Sequence, residues 1–170
     1  MNSAKVLKNI IEARRSIFPK DYSGEGIAEE VLQEIINSTQ FTPNHKRTKP
    51  WRFKVFRGEE KHLLGLELQE IYKNTTPSNL FLEKKYKDIG FKIEKSDTII
   101  SIVVSFSGLV SEWEEIAATA MAVQNMYLTS TANNVGCYWS SPKYVERLTK
   151  SLVIEENQKC LGLFYLGMTE

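Results

Sequence analysis

An α+β layered domain is the fold class that the sequence predicts, and three observations lead to it. Helix-type and strand-type patterns intermix along the 170 residues without the repeating βαβ rhythm of a doubly wound parallel sheet. Residues 98–106 are almost continuously apolar and β-branched, which is typical of a central strand buried on both faces. Residues 114–133 form a helical pattern that is apolar on most sides, as in a core or a subunit interface. A chain of this length is expected to form a single domain, residues 1–170.

The first two predicted elements are amphipathic helices. The first is capped by Ser3 and runs to about Arg15, and Pro19 then blocks any continuation. A turn at residues 23–26 separates it from a second amphipathic helix over residues 27–36. The apolar residues of the first helix recur at helical spacing, at Val6, Leu7, Ile10 and Ile11.

A loop, a strand and two helices are predicted in the middle of the chain. Residues 41–50 form the loop, and residues 51–56 alternate apolar and polar side chains, which predicts a strand with one covered face. A third helix is predicted over residues 59–72. After a loop at residues 74–79, the charged stretch 80–95 predicts a surface helix or a lid.

Two further strands are predicted after the long helix. Residues 136–140 form a short strand, and Ser141 is placed to cap a following helix that has Pro142 at its first position. Residues 161–166 form the last strand, and Gly167 follows it.

The charge balance and the distribution of apolar residues argue against nucleic-acid and membrane partners. The chain has 22 basic and 21 acidic residues and a formal net charge of +1, whereas nucleic-acid-binding domains usually carry a basic excess. Residues 1–8 lack the apolar region of a signal peptide, and no segment has the ~18 uninterrupted apolar residues of a membrane helix. We therefore expect a cytoplasmic protein with no nucleic-acid partner and no membrane partner.

The cysteines and histidines do not predict a metal site. Cys137 and Cys160 are too far apart for a redox CxxC pair. With only His45 and His62 besides, the chain has no zinc ligand set of known spacing. Both cysteines lie in apolar stretches, so we expect them to be buried, reduced thiols.

Two donor-rich segments predict a binding site. Arg14, Arg15 and Ser16 close the first helix, and residues 44–53 surround His45 with lysine and arginine side chains. Because a guanidinium group can meet two phosphate oxygens at once, these segments favour an anionic cofactor with a flat ring. The alternatives are that the arginines only stabilise the end of a helix, and that the loop is a solvated basic segment.

A third candidate segment is the strand end at residues 136–141, whose backbone and serines are placed to line a cofactor edge. The alternative is a core strand followed by a helix cap. No GxGxxG, P-loop or GxSxG motif is present, and His45 has no evident nucleophile with an orienting acid. Glu112, Glu114 and Glu115 are interpreted as structural, since negative charge favours the N-terminus of the long helix.

Taken together and in this order, these segments resemble the FMN-dependent nitroreductase family, particularly its short members. The resemblance covers nearly the whole chain. It is carried by the Arg-Arg-Ser triplet at 14–16, the Pro-Asn-His sequence at 43–45, the Pro-Trp pair at 50–51 and the Gly-x-x-Trp segment at 136–139.

The resemblance implies a fold, an assembly and an activity. The fold is α+β, with a mixed, mostly antiparallel sheet flanked by helices. The assembly is a homodimer with a long central interface helix and with FMN at the subunit interface. NADH or NADPH would pass a hydride to FMN, and a nitroaromatic, quinone or enone would then take the electrons in the same space, in a ping-pong reaction. The flavin carries this chemistry, so no catalytic side chain is assigned.

The resemblance also implies which residues contact the cofactor. The Arg-Arg-Ser triplet would hold the phosphate, the ribityl chain and the ring edge from one subunit, while an aromatic ring and an imidazole would approach from the other. The Trp-Ser-Ser sequence forms the late flavin-contact segment. The residues so implied are Arg14, Arg15, Ser16, Phe41, His45, Trp139, Ser140 and Ser141.

The chain departs from the family pattern at several positions. Phe18 stands where many relatives have a basic residue, and residues 47–49 replace an Asn-x-Gln sequence. Ser140 stands where close short relatives often have arginine, and the chain ends at Glu170 without the usual C-terminal tail. Two alternatives therefore stay open: a flavin- or nucleotide-binding module without turnover, and a structural interaction protein whose long helix is only a dimer seam.

Overall fold

The computed structural model describes residues 2–170, which form five helices and one four-stranded sheet joined by loops and short 3-10 turns. The helices are α1 Ser3–Ala13, α2 Glu29–Asn37, α3 Gly58–Thr75, α4 Glu83–Lys95 and α5 Glu112–Ala132. The strands are β1 Trp51–Phe56, β2 Thr98–Ser105, β3 Val135–Ser140 and β4 Gln158–Met168. The predicted α+β class is confirmed.

The sheet has the strand order β1-β2-β4-β3, with the two longest strands in the middle. All three pairings are antiparallel, for example Trp51 with Val104 and Val135 with Met168. No parallel pairing occurs within residues 2–170, so the sheet there is uniformly antiparallel rather than mixed. The apolar run that predicted a central strand is β2, which is buried along almost its whole length.

Helices cover both faces of the sheet. Side chains alternate along a strand, so Ile99 points towards one face and Ile100 towards the other. The first face packs against α3 and α4, and the second packs against α2 and α5. Buried residues of the first face include Phe56, Leu64, Leu68, Ile93 and Leu163, and those of the second include Leu32, Ile35, Val123, Met126 and Phe164.

The N-terminal helix starts and ends differently from the prediction. Its cap is Asn2, whose side-chain oxygen accepts the N–H of Ala4 at 3.0 Å, and Ser3 is the first helical residue. The helix stops two residues early because Arg14 turns to an extended conformation, with φ −53° and ψ 124°. The chain then runs against β3, where the N–H of Ile17 donates to the carbonyl of Cys137 at 3.0 Å.

The segment after β3 is not the helix that the Ser141-Pro142 pair predicts. Pro142 is extended, with φ −71° and ψ 141°, and Lys143–Arg147 forms only a short 3-10 turn. No side chain caps this turn, so the predicted capping role of Ser141 is wrong. A proline fixes its own φ but leaves ψ free, and here ψ is extended.

The two cysteines lie where the sequence places them, in the core. Cys137 and Cys160 are both free and buried, as predicted. Burial raises the pKa of the Cys137 thiol to about 12, so it is uncharged at neutral pH. Within residues 2–170, no cluster of His, Cys, Asp and Glu side chains has the arrangement of a metal site. Over the same residues, every helix is too short or too polar to cross a membrane.

A buried carboxylate, that of Glu67 in α3, holds the segment that follows the 3-10 turn. It accepts the backbone N–H groups of Thr149 and Lys150 at 2.8 Å each and that of Ser151 at 2.7 Å. Burial by itself would raise the pKa of Glu67, but the hydrogen bonds from Ser151, Lys150 and Thr149 outweigh burial. The pKa of Glu67 is therefore lowered below its ordinary value of 4.5.

Replacing Glu67 with glutamine is expected to lower the free energy of unfolding by about 1–3 kcal/mol at pH 7, because an amide N–H would face a backbone N–H. Since folding lowers the pKa of Glu67, its stabilisation is fully present above pH 4.5 and is lost as the pH falls through the folded-state value. Urea unfolding should show a difference between wild type and variant that shrinks below pH 4.5. Glu70→Gln, which loses only an exposed contact with Lys150, is the control, and equal losses would contradict this role.

Candidate cofactor-binding site

The Arg-Arg-Ser triplet lies beside the end of β3, because the chain after α1 is fastened to the sheet. The single hydroxyl proton of Tyr22 is shared between the carbonyl oxygens of Ile17 and Tyr165, which lie 3.0 and 3.1 Å from the hydroxyl oxygen. The ring of Phe18 packs on that of Tyr138 in β3, with centroids 4.8 Å apart. These contacts fix the path of residues 14–18 along β3.

Arg14 is a half-buried cation held against an aromatic ring. Its guanidinium carbon lies 5.3 Å from the ring centroid of Tyr127 in α5. Among residues 2–170, no carboxylate lies within ion-pair distance of Arg14 and no side chain accepts a hydrogen bond from it. The hydroxyl of Tyr127 accepts the N–H of Trp139 at 2.7 Å, so one tyrosine touches both the triplet and β3. We call residues 14–16 with Tyr127 and Trp139 the Arg14 cluster.

The neighbours of Arg14 are arranged differently. The Nη1 atom of Arg15 donates to the carbonyls of Glu12 and Arg14, at 2.6 and 2.8 Å. This is the helix-end contact that the sequence offered as the alternative to phosphate binding, and it is seen for Arg15 alone. Ser16 is exposed, and its hydroxyl makes no hydrogen bond to any described residue.

The other predicted residues near the triplet lie at the end of β3. The indole Nε1 of Trp139 donates to the carbonyl of Leu161 at 3.1 Å, which fixes the ring against β4. Ser140 is half-buried and Ser141 is exposed. The structure thus connects Arg14 to Trp139 through Tyr127, and Ser140 and Ser141 continue from the same strand end.

The second predicted segment runs along α5, and we call its residues 41–49 the His45 loop. The Oγ1 atom of Thr42 accepts a hydrogen bond from Asn125, near the Tyr127 end of α5, at 3.1 Å, and the loop reaches the N-terminal end of α5 at His45. The Nδ1 atom of His45 is 2.6 Å from a carboxylate oxygen of Glu114 in the first turn of α5. The ammonium group of Lys46 donates to the carbonyl of Leu109 at 3.0 Å. Phe41 is 86% exposed. The loop is therefore tied to α5 and to the turn before it, while its aromatic residue stays uncovered.

Backbone strain is concentrated in the His45 loop. Lys46, Arg47 and Lys49 have φ values of 51°, 56° and 44°, in the left-handed region that non-glycine residues rarely adopt. Such a conformation costs about 1–3 kcal/mol per residue and persists only where surrounding contacts enforce it. The Oδ1 atom of Asn44 supplies one such contact by accepting the N–H of Lys49 at 2.9 Å. Strain of this kind is common at ligand-binding segments.

Arg14 and His45 lie far apart within one chain. Glu114 and Tyr127 mark their positions on α5, and they are more than three turns apart. At 1.5 Å per residue, this separates them by about 20 Å along the helix axis. Within one subunit, Arg14 and His45 are therefore too far apart to contact the same end of a cofactor.

Sequence reasoning missed several of these contacts. It interpreted the three glutamates as favouring a helix N-terminus, and they do lie in the first turn of α5, but it did not predict that Glu114 pairs with His45 or that Glu115 is 1% exposed. One oxygen of Glu115 accepts the N–H of Ser107 at 3.0 Å, and the other has no hydrogen-bond partner within residues 2–170. The role of Tyr127 was also missed. The available signal was a large aromatic residue in a helix otherwise rich in small side chains.

Comparison with known sequences gives one family. The sequence model described as "Nitroreductase family" matches residues 11–168. YfhC of Bacillus subtilis, named provisionally as an NAD(P)H nitroreductase, is 26% identical over 173 residues, covering 95% of this chain and 84% of YfhC. YdjA of Escherichia coli K12, named in the same way, is 25% identical over 142 residues, covering 81% of this chain and 75% of YdjA.

Comparison with solved structures agrees with the sequence. The nitroreductase-like family protein of Bacillus cereus superposes with a TM-score of 0.75 at 22% identity, over 96% of this chain and 86% of that one. The FMN-dependent nitroreductase NfnB of Mycobacterium smegmatis, solved in complex with NADPH, superposes with a TM-score of 0.80 at 14% identity, over 98% and 89%. At these identities, the structural likeness shows the fold.

Proposed function

Because the chain belongs to the nitroreductase family, we propose that it is an FMN-dependent oxidoreductase that takes electrons from NADH or NADPH. The naming of YfhC for NAD(P)H and of NfnB for FMN supports this activity. In the chain itself, the proposal rests on Arg14. It is a half-buried guanidinium without a carboxylate partner among residues 2–170, and Tyr127 links it to the end of β3.

The residues of the Arg14 cluster fit a flavin phosphate. Arg14 would donate to the phosphate, and the exposed hydroxyl of Ser16 is a further donor beside it. A charge-assisted hydrogen bond of this type contributes about 1.5–3 kcal/mol. Trp139, Ser140 and Ser141 would line the ring system from the strand end. Arg15 would have to release the helix carbonyls to join them.

Exposed apolar side chains support a homodimer. Leu7 and Ile11 lie uncovered on α1, and Trp113 and Met121 lie uncovered on α5. A two-fold interface brings the same surface of both copies together. If the α5 helices pack antiparallel, the Arg14 cluster of one subunit meets the His45 loop of the other. This arrangement would reunite Arg14 and His45, which lie about 20 Å apart along α5 in one chain.

FMN supplies the redox chemistry when it is bound, because it accepts a hydride from a reduced nicotinamide and passes the electrons to a second substrate. The role of the protein side chains is to bind the cofactor and to orient it. Arg14, held beside Tyr127, would neutralise the phosphate, and the strand end at Trp139 would support one side of the ring. We propose a nitroaromatic, a quinone or an enone as acceptor, in a ping-pong sequence in which both substrates use the same space.

Anaerobic titration of the purified protein, reconstituted with FMN, tests the proposal. A yellow protein that is bleached by NADH or NADPH, each added separately, is the expected result, and reoxidation by a nitroaromatic or a quinone would complete the cycle. A protein that binds FMN but is not bleached by either nicotinamide would instead be a binding module without turnover. A protein that stays colourless and gives no binding heat with FMN would overturn the proposal.

Replacing His45 with alanine is expected to weaken FMN binding by about fivefold, which corresponds to one hydrogen bond of about 1 kcal/mol. His62→Ala is a matched control, because His62 also pairs with a glutamate, at 2.9 Å. The two side chains are also similarly exposed, at 58% for His45 and 51% for His62. Isothermal titration with FMN measures both variants, and equal affinities would show that His45 is an ordinary loop residue.

A further inference from the structure

We propose that Tyr127 is a positioning residue that holds the Arg14 side chain and the Trp139 end of β3 in one fixed arrangement. Its ring faces the Arg14 guanidinium, and its hydroxyl accepts the Trp139 N–H. Tyr127 would therefore set the distance between the phosphate end and the ring end of the bound flavin. This inference rests on the proposed function, because the two sides it joins are the proposed FMN contacts.

The Tyr127 ring is itself held in place by packing against the sheet. It packs edge-on against Phe164 of β4, with centroids 4.9 Å apart and ring planes at 86°. Phe164 is fully buried in the core. Edge-to-face packing of this kind has a defined geometry. The position of the Tyr127 ring is therefore fixed relative to the sheet, and the ring in turn positions the Arg14 guanidinium. Arg14 has no hydrogen-bonding side-chain partner among residues 2–170.

The two polar contacts of Tyr127 come from different parts of its side chain, so substitutions can separate them. Tyr127→Phe keeps the face under Arg14 and removes the hydroxyl that accepts the Trp139 N–H. Tyr127→Leu removes both contacts. Because FMN and riboflavin share the ring and differ in the phosphate, their relative affinities report on Arg14, while their common affinity reports on the strand end.

The expected results follow from these contacts. Tyr127→Phe should weaken FMN and riboflavin by the same factor, about fivefold, because one hydrogen bond at the strand end is lost. Tyr127→Leu should in addition lower the preference for FMN over riboflavin by about two- to fivefold, the size of a cation–π contact. In an Arg14→Ala background, the leucine substitution should leave that preference unchanged, because the contact is already absent.

The experiment measures dissociation constants for FMN and riboflavin by flavin fluorescence, together with the Trp139 amide resonance in ¹H–¹⁵N spectra of the cofactor-free protein. A shifted Trp139 amide in Tyr127→Phe confirms the hydroxyl contact without any flavin. Tyr86→Phe, at another half-buried tyrosine, is the control and should change none of these quantities.

The outcomes separate the two proposals. If the wild-type protein binds neither flavin, the proposed function fails, and the positioning role fails with it. If the wild-type protein binds FMN while Tyr127→Phe and Tyr127→Leu match it in both affinities, the positioning role alone is overturned. Equal weakening of both flavins by Tyr127→Leu, with the FMN preference unchanged, also overturns it. Should the leucine variant fail to fold, unchanged affinities in Tyr127→Phe decide against it.

Discussion

Arg14→Ala is expected to weaken FMN binding by roughly 10- to 100-fold while leaving the chain folded. The loss corresponds to a charge-assisted hydrogen bond of about 1.5–3 kcal/mol. The fold should persist because Arg14 makes no side-chain ion pair within residues 2–170, and its contact with the Tyr127 ring contributes only about 0.5–1 kcal/mol. Titration calorimetry with FMN and thermal unfolding of the same sample measure the two quantities.

Two controls sharpen the Arg14 prediction. Riboflavin lacks the phosphate, so its affinity should change much less than that of FMN. Lys8→Ala removes an exposed cation of α1 that pairs only with Glu12, so it tests whether loss of positive charge near the N-terminus is sufficient. If Arg14→Ala keeps its FMN, or if Lys8→Ala loses it equally, Arg14 is not the phosphate contact.

Gly162→Ala is expected to lower the free energy of unfolding by about 2–5 kcal/mol, the largest loss of stability predicted for this chain. Gly162 has φ 141°, and it lies opposite Ile102 where the register of β2 and β4 shifts. A Cβ atom there would come closer than 3.0 Å to the carbonyl of Ser140 and to the indole nitrogen of Trp139. Backbone strain and overpacking therefore add at one position.

Gly108→Ala is the matched control for Gly162→Ala. Gly108 also has a positive φ, 71°, but a Cβ atom there would meet nothing within 4 Å. Its substitution should cost only the backbone term, about 1–2 kcal/mol. Chemical denaturation of both variants measures the difference. Equal losses of stability would mean that Ser140 and Trp139 move away from the added Cβ atom at no cost in free energy. In that case FMN binding by Gly162→Ala should also be normal.

The elements of the fold were predictable wherever burial alone decides the pattern. β2 is apolar on both faces because it is central, and β1 alternates because the face that carries Arg52 and Lys54 is exposed. The predictions failed where a tertiary contact overrides local preference. Ser141 and Pro142 favour a helix start, but the chain stays extended there. Arg14 and Arg15 continue a helical pattern in the sequence. In the structure the chain instead runs beside β3, where the backbone N–H of Ile17 donates a hydrogen bond to the carbonyl of Cys137.

The chemical types of the candidate site residues were predictable from the sequence, but their arrangement in space was not. The sequence shows that Arg14 and His45 are donors, and it cannot show that α5 holds them about 20 Å apart. Nor does it show that His45 pairs with Glu114, or that Tyr127 contacts both Arg14 and Trp139. These contacts join residues far apart in sequence, and pattern periodicity carries no information about them.

The first helix has a consequence for how the cofactor is retained. α1 has 11 residues and none of them is buried, and a helix of that length is marginal in water by itself. Arg14 follows directly after its last residue. If a second subunit covers Leu7 and Ile11 in the proposed homodimer, dilution that separates the subunits would let α1 unfold locally and would weaken the proposed contact of Arg14 with the flavin. Cellular abundance of the polypeptide would then regulate the fraction of holoenzyme by mass action.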